Sequence, residues 1–202
     1  MKKASLSILL FLSILVGCTQ KKQSIAEETD YTQYVDPFIG TAYTGHTFPG
    51  ATYPLGMIQS GPETGNFSWE YCAGYVYGDS LINGFSQTRL NGTGCIDLGD
   101  LLIQPFSGDK REDLRSKYDL VSEDASPGYY TVKLTDNDVH VEITAAPHVA
   151  FHKYTFGKDK AANVLTDFQS GLVWTEDRIH THVLENEVKF ENDKTISGYT
   201  RR

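Results

Sequence analysis

The side chains best suited to chemistry lie in two glycine-rich stretches. The first is the loop Gly45-His46-Thr47-Phe48-Pro49-Gly50. The second spans residues 69–100, where Gly74, Gly78, Gly84, Gly92, Gly94 and Gly99 are interleaved with Trp69, Tyr71, Tyr75, Tyr77 and Phe85. Glycine is selected where the backbone takes positive φ or where another group must approach the main chain closely. Aromatic rings among small polar residues suit a sugar, since a flat ring stacks on the apolar face of a pyranose while amides and hydroxyls bond its OH groups. In that reading Trp69 stacks on a sugar or walls off the leaving-group subsite. His46 donates to a hydroxyl, Thr47 stands beside it, and Phe48-Pro49 stiffens the loop. The competing reading is a tightly turned β-rich region in which Trp69 is a core residue.

Other constellations are weaker. Hydrolysis of a glycoside with inversion needs one protonated and one ionised carboxyl with room for a water between them. Glu63, Glu70, Asp79, Asp97 and Asp100 are the acids at hand, but Asp79, Asp97 and Asp100 have the turn character of residues that bond nearby backbone amides. No catalytic residue is assigned. His180-Thr181-His182 puts two imidazoles on one face of a possible strand, without a third ligand at useful spacing, so no metal site is assigned. There is no phosphate-binding Gly-Lys-Ser loop and no nucleophile elbow. Cys72 and Cys95 could pair or stay reduced; spacing does not decide.

The elements that must position these residues read as β-strands. From Gly128 onward Tyr130, Val132 and Leu134 alternate with Thr131 and Lys133. Asp136-Asn137-Asp138 supplies a turn, and Val139, Val141 and Ile143 alternate with His140 and Glu142. That is a hairpin with one buried face. Residues 149–156 carry bulk on both faces and are expected inside the sheet stack. Residues 188–190 and 195–199 form a further hairpin around Asn192-Asp193-Lys194. Only 109–117 has some helical character, and its apolar spacing is poor. Many short strands with regular turns indicate an all-β fold, an antiparallel β-sandwich.

The N-terminus reads as an export signal. Lys2 and Lys3 precede an apolar run from Leu6 to Val16, too short to span a bilayer, which ends in Leu15-Val16-Gly17-Cys18. This is the pattern of a bacterial lipoprotein signal peptide over 1–17. Cys18 is then the lipidated residue, and Thr19 after it points to the outer membrane. Several acyl chains on one residue give stable anchoring. Residues 18–30 are polar and aperiodic and read as a flexible tether. Residues 31–202 form the globular domain. The formal net charge of −8 argues against nucleic acid or an anionic membrane as a partner, and membrane contact is through the lipid anchor alone.

Several long strings, in one order, carry a family resemblance. They are Val35-Asp36-Pro37-Phe38-Ile39-Gly40-Thr41, then Gly45-His46-Thr47-Phe48-Pro49-Gly50-Ala51-Thr52 running on to Pro54-Leu55-Gly56-Met57. Gly74-Tyr75, Tyr77, Asp79-Ser80, Gly84-Phe85-Ser86, Gly92-Thr93-Gly94-Cys95 and Asp97-Leu98-Gly99-Asp100 follow, with Phe151-His152-Lys153-Tyr154-Thr155-Phe156 and Ile196-Ser197-Gly198-Tyr199 downstream. Over residues 34–202 the chain resembles the N-terminal domain of glycoside hydrolase family 92, the bacterial exo-acting α-mannosidases. The resemblance implies a supersandwich-like N-terminal domain whose loops complete the sugar pocket. It also implies a C-terminal (α/α) barrel that carries the catalytic acid, the base and the ligands of a calcium ion. That barrel is lacking here, so neither catalytic residues nor calcium ligands are carried onto this chain. The expectation is the front part of a calcium-dependent inverting exo-α-mannosidase acting on mannose-containing oligosaccharides, inactive alone, with a missing barrel domain or a partner chain completing it. The alternative is a stand-alone carbohydrate-binding surface lipoprotein without catalytic activity. One departure stands out: many relatives read Phe-Ser-His-Thr-His-Leu-Ser-Gly where this chain has Phe85-Ser86-Gln87-Thr88-Arg89-Leu90-Asn91-Gly92. If Gln87 and Arg89 reach the pocket, the linkage recognised differs; if they lie on the far side of the sheet, the change is drift.

Overall fold

The structure is a computed structural model that describes residues 29–65, 68–109, 112–172 and 183–202. The predicted leader, Cys18 and most of the tether lie outside the described residues, as do Trp174, His180 and His182. Among the described residues no helix is long and apolar enough to cross a membrane.

Among the described residues, thirteen strands and two single turns of 3-10 helix, Thr32–Tyr34 and Trp69–Tyr71, make up the regular structure. The first six strands are β1 (Ala51–Thr52), β2 (Gln59–Glu63), β3 (Leu81–Ile82), β4 (Gly84–Ser86), β5 (Leu102–Ser107) and β6 (Ser116–Lys117). Then come β7 (Asp124–Ser126), β8 (Tyr129–Leu134), β9 (Val139–Ala146), β10 (Val149–Phe156) and β11 (Ala162–Asp167). The hairpin β12 (Glu185–Asn192) and β13 (Thr195–Arg201) follows. A five-stranded sheet has the order β1-β2-β4-β5-β11, and a four-stranded sheet the order β10-β9-β8-β7. Every pairing is antiparallel.

The two larger sheets bury one core between them. Ala51 from β1 and Phe85 from β4 meet Tyr130, Val132 and Leu134 from β8 and Val139, Val141 and Ile143 from β9, with Ile82 and Tyr118 filling the side. Alternation does this: along β8 every second residue is buried, and β9 begins the same way. Because side chains alternate across a strand, the register Val132 opposite Val141 puts both apolar sets on one face. This is the antiparallel β-sandwich expected.

Two expectations fail. Residues 149–156 are not interior: β10 is the edge of its sheet, paired only with β9, and exposes Val149 and Phe151. Its bulky residues point two ways because only His152, Tyr154 and Phe156 turn toward the sandwich. Residues 112–117 form no helix. Asp113 binds its own Arg115 at 2.7 Å, and Ser116–Lys117 pairs instead with Leu81–Ile82.

Candidate functional site

The loop that carries His46 leaves the first helical turn and is tied by its own backbone. Asp36 Oδ1 accepts the amide of Phe38 at 2.9 Å, and Thr41 Oγ1 donates to Phe38 O at 2.8 Å. The chain then doubles back so tightly that a Cβ on Gly45 would sit 1.9 Å from the carbonyl oxygen of Gly40. His46 follows at φ 54°, a left-handed conformation that histidine tolerates better than most side chains. The ring is driven inward and is 7% exposed.

Trp69 opens the 3-10 turn Trp69–Tyr71 and faces His46. The two ring centroids lie 4.3 Å apart at 67°, edge to face. Trp69 remains 41% exposed, so one face of the indole is in solvent. Its Nε1 donates to Gly94 O at 2.8 Å. The Gly92-Thr93-Gly94 turn bridges both residues, because the amide of Gly92 donates to His46 O at 2.5 Å. Gly94 takes φ +67°, and its α-carbon is in reach of both rings: a Cβ there would be 3.6 Å from Trp69 and 3.8 Å from His46. Thr47 lies to one side. Its hydroxyl donates to Ile39 O at 3.0 Å, and it lines a separate cleft of about 300 Å³ with Pro37, Phe48 and Asn91. The structure therefore joins His46 to Trp69 and leaves Thr47 adjacent.

The chemical character of the pair lies in its polar atoms. Both ring nitrogens of His46 are buried and without a hydrogen-bond partner. Such atoms carry a desolvation cost of about 1–3 kcal/mol until something bonds them. A ligand hydroxyl that enters past the half-exposed Trp69 to the His46 ring would offer that bond, as donor to one nitrogen or acceptor from the other.

Behind the site stands a buried arginine that sequence reasoning placed either in the pocket or beyond the sheet. Arg89 is in neither place. It is 2% exposed and braces the interior, with its plane 4.1 Å from the Phe48 ring centroid. Nε donates to Gln59 O, Nη1 to Pro62 O and Ala73 O, and Nη2 to Gly61 O and Ser86 Oγ, at 2.6–3.2 Å. Burial lowers its pKa to about 10, and the neighbouring Glu63 opposes that shift. Glu63 is itself buried, and burial pushes its carboxyl up despite Arg89. Phe48 follows His46 and Thr47 in sequence, so this brace fixes the root of the loop. Gln87 is likewise internal and bonds His152 at 3.2 Å.

The remaining acids are each engaged. Ser68 donates to Glu70, Tyr71 donates to Asp79 at 3.2 Å, and Arg202 binds Asp97 at 3.0 Å and Asp100 at 2.8 Å. Arg202 also donates to Leu98 O at 2.7 Å and so clamps the base of the loop that carries Gly94. Asp97 bonds the amide of Leu98, the turn role its sequence suggested. Cys72 is buried, Cys95 exposed, and both are free. Among the described residues no three His, Cys, Asp or Glu side chains converge as a metal site.

Comparison with known proteins agrees with this architecture. Residues 34–202 match the glycosyl hydrolase family 92 N-terminal domain. A family GH92 α-mannosidase from Bacteroides thetaiotaomicron, solved alone and in complex with mannoimidazole, superposes with a TM-score of 0.77 at 34% identity, covering 84% of this chain and 23% of that one. A family GH92 inverting mannosidase from the same organism superposes with a TM-score of 0.56 at 27% identity, covering 70% of this chain and 20% of its own. An uncharacterized secreted glycosidase of Arthroderma benhamiae is 32% identical over 166 residues, which is 76% of this chain and 20% of that protein. The chain thus spans about a fifth to a quarter of the length of the relatives it matches. It belongs to glycosyl hydrolase family 92, and residues 34–202 are its N-terminal domain.

Proposed function

We propose that this domain supplies the sugar-contacting wall of an inverting exo-α-mannosidase, with His46 and Trp69 holding a mannose-containing glycan and with hydrolysis carried by residues outside this chain. The carrying observation is the His46 ring, buried, without a partner on either nitrogen, and locked edge-on to a half-exposed tryptophan. The His46 nitrogens are not spent on the fold in the way the other polar groups nearby are, and the indole, tied through Nε1 to Gly94 O, stays half-exposed. The substrate class is supported by one solved relative, an α-mannosidase in complex with mannoimidazole. The assignment of hydrolysis elsewhere is supported by the five acids of the glycine-rich region. One is buried beside Arg89, and the other four are bonded to Ser68, Tyr71 or Arg202. Calcium, which the family resemblance implies, finds no fitting donor set among the described residues, since Asp97 and Asp100 are bridged by Arg202. Export to the outer membrane on a Cys18 lipid anchor is part of the same proposal. The Lys2-Lys3 leader supports it, and the secreted glycosidase of Arthroderma benhamiae supports export alone.

The test is titration of the purified domain with α-mannobiose, followed by tryptophan fluorescence in a Trp174→Phe background, because the chain has two tryptophans. A saturable change that weakens about tenfold in His46→Ala is expected, the loss of roughly one hydrogen bond to a buried group, and calorimetry on Trp69→Ala should show weakened binding. No change in the parent protein would refute the reading. Release of mannose by the domain alone would refute its second half.

A further inference from the structure

A second cleft lies apart from the His46–Trp69 pair, and none of those residues lines it. It has a volume of about 420 Å³ and is walled by the Asp36–Ala42 turn on one side and by Tyr77, Leu120 and Glu123 on the other. That volume falls within the ~300–1,000 Å³ of small-molecule sites. Its two walls are fixed independently of any ligand. The amide of Tyr77 donates to Thr41 O at 2.9 Å, and the Tyr77 ring meets Phe38 edge to face at 5.8 Å. At the floor, Tyr130 donates to Glu123 Oε1 at 2.8 Å and Tyr75 donates to Oε2 at 3.0 Å. Each carboxylate oxygen keeps one further acceptor position.

Two features define what fits. The polar side chains in the wall are mainly acceptors: Asp36 and Glu123 line it, and no lysine or arginine does. Thr41 already spends its hydroxyl proton on Phe38 O. The occupant must therefore donate hydrogen bonds. The apolar part is Phe38, Leu120 and the open face of Tyr77, which is 54% exposed. A ligand with one apolar face and a rim of hydroxyl donors matches both features, and a pyranose has that form. An ammonium ion would also donate, but it offers no extended apolar face to Phe38, Leu120 and Tyr77.

We infer that the Tyr77–Glu123 cleft is a second glycan-binding site, taking a neutral hexose unit of the same oligosaccharide class at a position that the His46–Trp69 pair does not reach. The identity of that hexose as mannose rests on the proposed function. The existence of the site does not. A domain with two such sites grips a branched or extended glycan at two points, and effective concentration then raises its avidity above that for a disaccharide.

The experiment uses the whole domain in five forms: parent, Trp69→Ala, Tyr77→Ala, the double variant of these two, and Glu123→Gln. Saturation-transfer NMR and calorimetry are run with methyl α-mannopyranoside and α-mannobiose. In Trp69→Ala, millimolar sugar binding should persist. In the double variant Trp69→Ala/Tyr77→Ala it should weaken about tenfold, the value of one aromatic stacking face. Glu123→Gln, which keeps the shape and one of the two hydrogen bonds donated by tyrosine, should weaken it less. On isotope-labelled parent protein the amides of Thr41 and Tyr77 should shift on titration, a readout that needs no variant. Loss of all binding in Trp69→Ala, with those amides unmoved, would overturn the second site and leave the first standing. Binding that ignores Trp69→Ala but responds to Tyr77→Ala would sustain the second site and sink the first. Shifts of the Thr41 and Tyr77 amides with millimolar methylammonium but not with sugar would mark the cleft as a cation site and overturn the inference.

Discussion

His152 ties the two sheets together, and its burial makes a pH signature that can be worked out. The ring projects from the edge strand β10 toward the five-stranded sheet. Its Nε2 lies 3.2 Å from Gln87 Oε1 and 3.1 Å from Ser60 Oγ, and its Nδ1 lies 2.8 Å from Tyr154 OH. The Gln87 amide nitrogen is committed to Phe85 O, so Oε1 faces the ring as an acceptor. Nε2 therefore carries the proton and Nδ1 accepts from Tyr154. Burial lowers the imidazole pKa from 6.5 to about 4. Above pH 6.5 the ring is neutral in both folded and unfolded chains and contributes no pH dependence. Between pH 6.5 and 4 the unfolded chain takes up a proton that the folded chain refuses, so stability falls as pH falls. The loss levels off below pH 4. A shift of that size corresponds to about 3 kcal/mol. Burial raises Glu63 and Glu123 instead, so their contribution runs the other way: it is present at low pH and lost as pH rises through their folded values. Both groups remain in a His152→Gln variant and cancel in the comparison. Urea unfolding of parent and variant at pH 7.5, 6, 5 and 4 is the assay. The parent should lose about 3 kcal/mol relative to the variant across that range. Parallel stability curves would refute the argument.

Arg89→Met is expected to destabilise the domain by about 3–5 kcal/mol in chemical unfolding, because four backbone carbonyls and Ser86 lose their donor in a sealed interior while Glu63 loses its counter-charge. A change under about 1 kcal/mol would show the brace to be dispensable. With Cys18 replaced by serine, iodoacetamide should label Cys95 under native conditions and Cys72 only on unfolding, since Cys72 is fully buried and burial pushes its thiol up. Equal labelling rates, read by peptide mass spectrometry, would contradict that placement.

What the sequence made legible follows the range of the interactions. The β8–β9 hairpin was readable because its pattern is local: alternation from Tyr130 to Ile143 decides both register and buried face. β10 misled because its alternation marks two unlike faces without saying which strands flank it. Whether a strand is central or at an edge depends on chain far away. Arg89 was unreadable for a sharper reason. Its acceptors come from Gln59, Gly61, Pro62 and Ala73, and the ring beneath it belongs to Phe48. No window of sequence holds all of these, and an isolated arginine near an Asn-Gly pair reads as exposed. His46 and Trp69 were each singled out by residue type and neighbours. Their contact depends on the Gly92–Gly94 turn, which is remote from both in sequence.

That three-part contact also bears on why the site is built with a defect. His46 sits at positive φ with an unbonded buried ring, two features that each cost about 1–3 kcal/mol. The loop keeps this arrangement because its surroundings leave no alternative. Gly45 packs on Gly40, Phe48 is pinned under Arg89, the Gly92 amide holds His46 O, and Arg202 clamps the strand pair on which Gly94 is carried. A histidine free to turn outward would find water and relieve the cost. One held inward can be relieved only by something that enters beside Trp69. On the proposed reading the local instability is the source of affinity: a hydroxyl that bonds His46 recovers the desolvation already spent in folding, and the rings do not need to be ordered again. Filling the defect without ligand, as in His46→Phe, should therefore raise thermal stability while abolishing sugar binding beside Trp69. A variant that loses both would mean that His46 serves the fold.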